Sequence, residues 1–123
     1  MVLAHSSAHM RVGKEGEEIA ERYLRKAGFV LCDRNVRIGR DEIDLIMFDR
    51  SQRMFIFIEV KTRSLFSFDY CPELNFTHAK KEKMLRAARA WIAKYQFEGA
   101  YRCDLVCVVD GKVADHFSEV SFD

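Results

Sequence analysis

Apolar positions follow two periods along this chain, and the change from one to the other marks its elements. Ile19, Ala20, Tyr23, Leu24 and Ala27 recur at helical spacing, and Gly28 stands where a left-handed cap ends a helix, so a first helix is predicted from about Gly13 to Ala27. On it Glu17 lies on the apolar side with Ala20 and Leu24, whereas Glu18 aligns with Glu21, Arg22 and Arg25 on the wet side. Phe29 to Cys32 and Asn35 to Arg37 suggest a first strand, punctuated by Gly39-Arg40-Asp41 before a second over Ile43 to Phe48. Asp49 to Arg53 is a polar turn. Met54 to Lys61 is apolar on both faces until its last residues, the pattern of a central strand. Arg63 to Pro72 reads as a loop carrying Phe66, Phe68 and Tyr70. A long helix follows from about Thr77 to Phe97, with Met84, Ala88, Trp91, Ile92 and Tyr95 on its apolar stripe and bases on its other face. Tyr101 to Val109 and Lys112 to Val120 close the chain as strands joined by Asp110-Gly111, a favoured hairpin turn.

The order α β β β α β β places the chain in the α/β class, and 123 residues suffice for one domain and one core. An apolar fraction of 49% beside 32% charged residues is the balance of a folded chain and excludes a disordered or fibrous one. No apolar run approaches the roughly 20 residues of a membrane span, and the first ten residues lack the layout of a secretory signal, so a cytoplasmic protein with no membrane partner is expected. Residues 1–10 read as a disordered or vector-derived leader, because His9-Met10 precedes a charged helical stretch, and residues 11–123 form the domain. Cys32, Cys71, Cys103 and Cys107 show no zinc spacing with one another or with the four histidines, which leaves reduced, mostly buried thiols.

Net charge of +1 changes the picture only when mapped. From Val60 to Tyr95 eight bases face three acids, while from Arg11 to Asp49 eight bases face nine acids. The local excess suits a phosphate-rich partner, although a solvated helix face has the same composition.

A hairpin turn centred between Ser51 and Gln52 brings Asp44 opposite Glu59. Opposed side chains in an antiparallel pair have Cβ atoms about 4.5–5.5 Å apart, and two carboxylates that close repel unless a cation sits between them. Magnesium takes one or two carboxylates and fills its other positions with water and phosphate oxygens. Lys61, two residues beyond Glu59, shares its face. Two carboxylates and a lysine suit phosphodiester hydrolysis, in which metal polarises the phosphoryl group and the ammonium orients water or offsets developing charge. The same trio would also serve as a strand-end ion-pair network.

Asp44 followed by Glu59-Val60-Lys61 after a hydrophobic strand resembles the PD-(D/E)xK signature of restriction-endonuclease-like nucleases. More closely, Gly16-Glu17-Glu18-Ile19-Ala20, Tyr23-Leu24, Gly28-Phe29, Arg34-Asn35, Glu42-Ile43-Asp44-Leu45-Ile46, Glu59-Val60-Lys61-Thr62-Arg63 and Arg102-Cys103-Asp104 resemble the YraN-like family of bacterial proteins, over nearly all of Val12 to Val109. The resemblance implies a restriction-endonuclease-like core similar to that of Holliday-junction resolvases, with a central mixed β-sheet flanked by helices. It implies Asp44 and Glu59 as metal ligands with the Val60 carbonyl as a third, Lys61 as the catalytic lysine and Glu17 as the helix acid. The expected cofactor is magnesium (Mg2+) or manganese (Mn2+). One departure is Asp41, where family members tend to have Gly; aspartate tolerates left-handed angles, so the turn can survive with a further acid near the site.

Arg63, Lys80, Lys81, Lys83 and Arg86 are candidates for following a DNA backbone without reading bases, and Thr62 could contact a phosphate. Asp104, between Arg102 and Val106 on one strand face, suits a structural partner for an arginine. Phe66, Phe68 and Tyr70 suit core or dimer packing. The expectation is a metal-dependent endonuclease acting on DNA, including branched or structured forms, as a homodimer and with room for a protein partner. The rival is a nucleic-acid-binding or protein-interaction module that keeps the fold and the acidic pair without cleaving.

Overall fold

The computed structural model describes residues 2–64 and 77–119, with side chains from residue 13 onward. Its elements are α1 (Val2–Lys26), β1 (Val30–Ile38), β2 (Asp41–Asp49), β3 (Met54–Arg63), α2 (His78–Tyr95), β4 (Ala100–Val109) and β5 (Lys112–Phe117). This is the order read from the sequence. The five strands form one mixed sheet in the order β1-β2-β3-β4-β5, with β3 at its centre. Only β3 and β4 run parallel, because α2 carries the chain back between them; the other neighbours are antiparallel and joined by tight turns.

The two helices cover opposite faces. Strand side chains alternate, so Ile56 and Ile58 of β3 and Val106 and Val108 of β4 meet Ala20 and Leu24 of α1. Phe57 and Cys103, one residue out of phase, meet Ala87, Ala88 and Trp91 of α2. The aromatic side of this second core is built edge to face, with Phe55 and Phe57 centroids 4.9 and 5.5 Å from Trp91.

Turn chemistry sets the registers. The Asp49 carboxylate accepts from the Ser51 hydroxyl at 2.7 Å and from the Ser51 and Gln52 N–H groups at 3.0 and 3.3 Å, folding the connection between β2 and β3 over itself. The resulting register pairs Leu45 with Ile58 and Asp49 with Met54, as a turn centred between Ser51 and Gln52 requires. Asp110 and Gly111, at φ 47° and 81°, form the two-residue turn between β4 and β5. Thr77 caps α2 by accepting from the Lys80 N–H, and Gln96 ends it in the left-handed conformation.

Several boundaries differ from the sequence reading, and β3 runs on through Arg63, which the sequence placed at the start of a loop. α1 begins at Val2, well before Gly13: nothing in the first residues breaks a helix, and isolated glycines such as Gly13 and Gly16 are tolerated inside one. β1 is the single first strand that the sequence suggests, running without a break over Val30–Ile38, with a register shift between Leu31 and Asp33 that absorbs one residue as a bulge. The left-handed residue of the β1–β2 turn is Gly39, at φ 60°, and Asp41 is already paired in β2, so Asp41 has no turn geometry to tolerate. β5 ends at Phe117. Phe66, Phe68, Tyr70, Cys71 and Val120 lie outside the described residues. Among those described, Cys103 and Cys107 are buried and Cys32 is exposed, and none of the three is in a disulfide. No helix among them is long and apolar enough to cross a membrane.

Candidate active site at the strand fork

The β2–β3 ladder stops at Leu45 and Ile58, one step short of the predicted pair. There the Asp44 side chain replaces the backbone, its carboxylate accepting the Val60 N–H at 2.8 Å. The strands part at this point, and the carboxylate of Asp44 sits in the fork beside that of Glu59. Burial is the first cause that pushes the Asp44 carboxyl up to about 8, the nearby Glu59 charge is the second, and the Val60 N–H opposes both. A carboxyl raised by burial and by a like-charged neighbour occupies a place where added positive charge would favour its ionised form.

Lys61 supplies part of that charge, with its Nζ 3.1 Å from Glu59 Oε1 and both side chains about one-quarter exposed. Alternation aims Glu59 and Lys61 at the face that α2 covers. Glu59 lines a groove there of about 230 Å³ together with Arg40, Asp41, Glu42, Lys80, Lys83 and Met84, and Lys61 does not line it. Two of the predicted phosphate-binding lysines, Lys80 and Lys83, therefore share a groove with a predicted metal ligand. Lys81 is half-buried and does not line it.

Arg86 is committed elsewhere. Its Nε and Nη2 donate to the two Asp41 oxygens at 2.8 and 2.7 Å, a bidentate pair that ties α2 to the start of β2. Hydrogen bonding from Arg86 holds the Asp41 carboxyl below its usual range, so the acid that departs from the family pattern faces a guanidinium. Arg63 turns its guanidinium onto the Thr62 carbonyl at 2.9 Å, at the strand end.

Glu17 reaches the fork from the other face of the sheet. It is half-buried and Glu18 is exposed, as the helical periodicity requires. Burial, then Glu42 and Glu59, push its carboxyl above the ordinary range. Next to Glu17, Gly16 is buried against Thr62, and a Cβ there would collide with the Thr62 hydroxyl. Thr62 thus faces α1.

Sequence reasoning missed Arg40 and Glu42, which line the groove, and the Gly16–Thr62 contact. A glycine inside a strongly periodic helix was the available signal for the contact. Asp104 has the structural place expected of it: fully buried, it accepts from Arg102, from His116 Nε2 at 2.8 Å and from the Glu119 N–H at 2.9 Å.

Among the described residues no three His, Cys, Asp or Glu side chains gather into a metal cage. The donor set at the fork is two carboxylates and nearby main chain. It fits an ion that keeps water and phosphate oxygens in its shell, and it does not fit zinc.

Comparison with known proteins agrees with the span of this architecture. The chain is 38% identical over 100 residues to a UPF0102 protein of Syntrophotalea carbinolica, covering 80% of this chain and 79% of that one. It is 32% identical over 115 residues to a UPF0102 protein of Thermodesulfovibrio yellowstonii, covering 94% and 99%. A UPF0102 protein of Cytophaga hutchinsonii is 29% identical over 113 residues, covering 92% and 97%. The model of the uncharacterised protein family UPF0102 matches residues 16–108, from the glycine that seats α1 to the end of β4, and the chain belongs to that family.

Proposed function

We propose that this chain is a metal-dependent endonuclease with a restriction-endonuclease-like core that hydrolyses DNA phosphodiester bonds. The observation that carries the reading is the meeting of Asp44, Glu59 and Lys61 at the strand fork beside a groove lined by Lys80 and Lys83. Asp44, Glu59 and the Val60 carbonyl would hold magnesium or manganese. When bound, the ion polarises the phosphoryl group and brings the pKa of water toward neutrality.

The chain's own residues supply the rest. Asp44 is fixed by the Val60 N–H, and its carboxyl is within hydrogen-bonding reach of Glu59 in the fork. Lys61 holds its ammonium against Glu59, where it can orient water or offset charge on the phosphoryl oxygens. Glu17 holds water from the α1 side. Lys80 and Lys83 take backbone phosphates without reading bases, which favours recognition of DNA by shape, branched forms included. In the reaction, water adds to phosphorus, the bond from phosphorus to one sugar oxygen breaks, and that oxygen leaves with the proton the water gives up. Paired sites in a homodimer would cut two strands, and sedimentation showing only monomer at working concentration would remove that part.

The test is a magnesium titration followed by thermal melting and by cleavage of linear, single-stranded, flap and four-way-junction DNA, with Glu59→Ala alongside. Metal-induced stabilisation and cutting that both vanish in the variant support the reading. No metal response and no cutting in the wild type would favour a DNA-binding or protein-interaction module instead.

A further inference from the structure

Glycine is a poor helix former, yet Gly16 lies inside α1. The reason is across the interface: a Cβ at Gly16 would collide with Thr62 Oγ1 and stand 3.2 Å from Thr62 Cβ and 3.3 Å from Cγ2. These atoms are the branched root of a stiff side chain on a paired strand, so they cannot swing aside as the end of a long side chain can. One turn further on, Ala20 is fully buried against the same face. The helix therefore packs directly on β3 at Gly16, one residue before Glu17 and next to a strand segment that carries Glu59 and Lys61.

We infer that Gly16 and Thr62 are positioning residues for the proposed hydrolysis: the absent side chain lets α1 settle on the end of β3, and that depth places the Glu17 carboxylate at the fork. The inference rests on the hydrolase reading and on Glu17 serving it. A methyl group at Gly16 must lift the helix or push Thr62 outward, and either movement carries Glu17 away from Glu59. Displacements near 1 Å of a catalytic group cost about 10²-fold in rate.

The test is a kinetic double-mutant cycle on the DNA that the wild type cuts best, measured well below each melting temperature. Gly16→Ala is expected to lower kcat about 10²-fold with KM for DNA unchanged. Glu17→Gln should show a similar loss, and the double variant should be no slower than the slower single, because both changes act on one carboxylate. Thr62→Ala in the Gly16→Ala background should restore most of the rate. Multiplying losses in the double variant, or full activity in Gly16→Ala, would overturn the inference while leaving the hydrolase reading intact. Should Gly16→Ala fail to fold, Thr62→Leu changes the same spacing from the strand side and is read against Glu17→Gln in the same cycle. A wild type that cuts no DNA would remove the hydrolase reading and this inference together.

Discussion

Two acids on the strands that flank β3 sit in contrasting surroundings. Asp104 on β4 is fully buried, and its oxygens face Arg102 Nε and Nη2 at 3.1 and 3.3 Å, His116 Nε2 at 2.8 Å and the Glu119 N–H at 2.9 Å. His116 in turn shares a 2.9 Å hydrogen bond with the Tyr23 hydroxyl, so this carboxylate joins α1, β4 and β5. Asp44 on β2 has one N–H and a second carboxylate for company, and its carboxyl is pushed up to about 8. A carboxylate surrounded by donors is part of the scaffold. One set against another carboxylate is poised for a cation, and the difference separates structure from chemistry better than burial does.

Substituting each acid in turn tests that contrast. The largest effect should fall on activity at the fork: Asp44→Asn, which keeps size and removes charge, should lower magnesium-dependent cleavage by about 10³-fold or more, since the metal contributes several kcal/mol of transition-state stabilisation. Asp104→Ala should act on stability. It strands the Arg102 guanidinium and two further donors, and should cost about 3–5 kcal/mol in urea unfolding, with or without chelator. Comparable stability losses at both acids in chelator would erase the contrast.

A smaller, pH-dependent effect follows from the raised Asp44 carboxyl. Its folded pKa lies above the unfolded one, so the metal-free protein keeps that contribution below about pH 4 and loses it as pH rises through about 8. In chelator the wild type should therefore fall in melting temperature relative to Asp44→Asn between pH 5 and 9, and magnesium should reverse the order. A variant that melts below the wild type at pH 9 in chelator would mean that the two carboxylates do not repel.

The smallest change is at the groove. Lys83→Ala should weaken DNA binding by a few-fold across all sequences and reduce the salt dependence by about one phosphate contact. Arg86→Ala tests the opposite assignment: because its guanidinium is held by Asp41, its loss should lower the melting temperature slightly and change DNA affinity less than Lys83→Ala does. Equal affinity losses would place Arg86 on the DNA.

Local rules account for what the sequence determined by itself. Periods of 3.6 and 2 revealed the two helices and the strand order, Asp49 and Asp110-Gly111 announced their turns, and the turn after Asp49 set the register that brings Asp44 toward Glu59. Helical periodicity also told Glu17 from Glu18. Tertiary structure decided what depends on distant residues. The fork opens only because β2 and β3 stop pairing at Leu45, Arg86 is withdrawn because α2 lies over Asp41, and Asp104 is hydrogen-bonded by a histidine from β5. Gly16 reads in sequence as a weak point in a helix; only the packing of α1 on Thr62 makes it a requirement. Side-chain period and turn preference act over a few residues and can be read along the chain, whereas burial, charge pairing and close approach are set by elements that meet only after the sheet has formed.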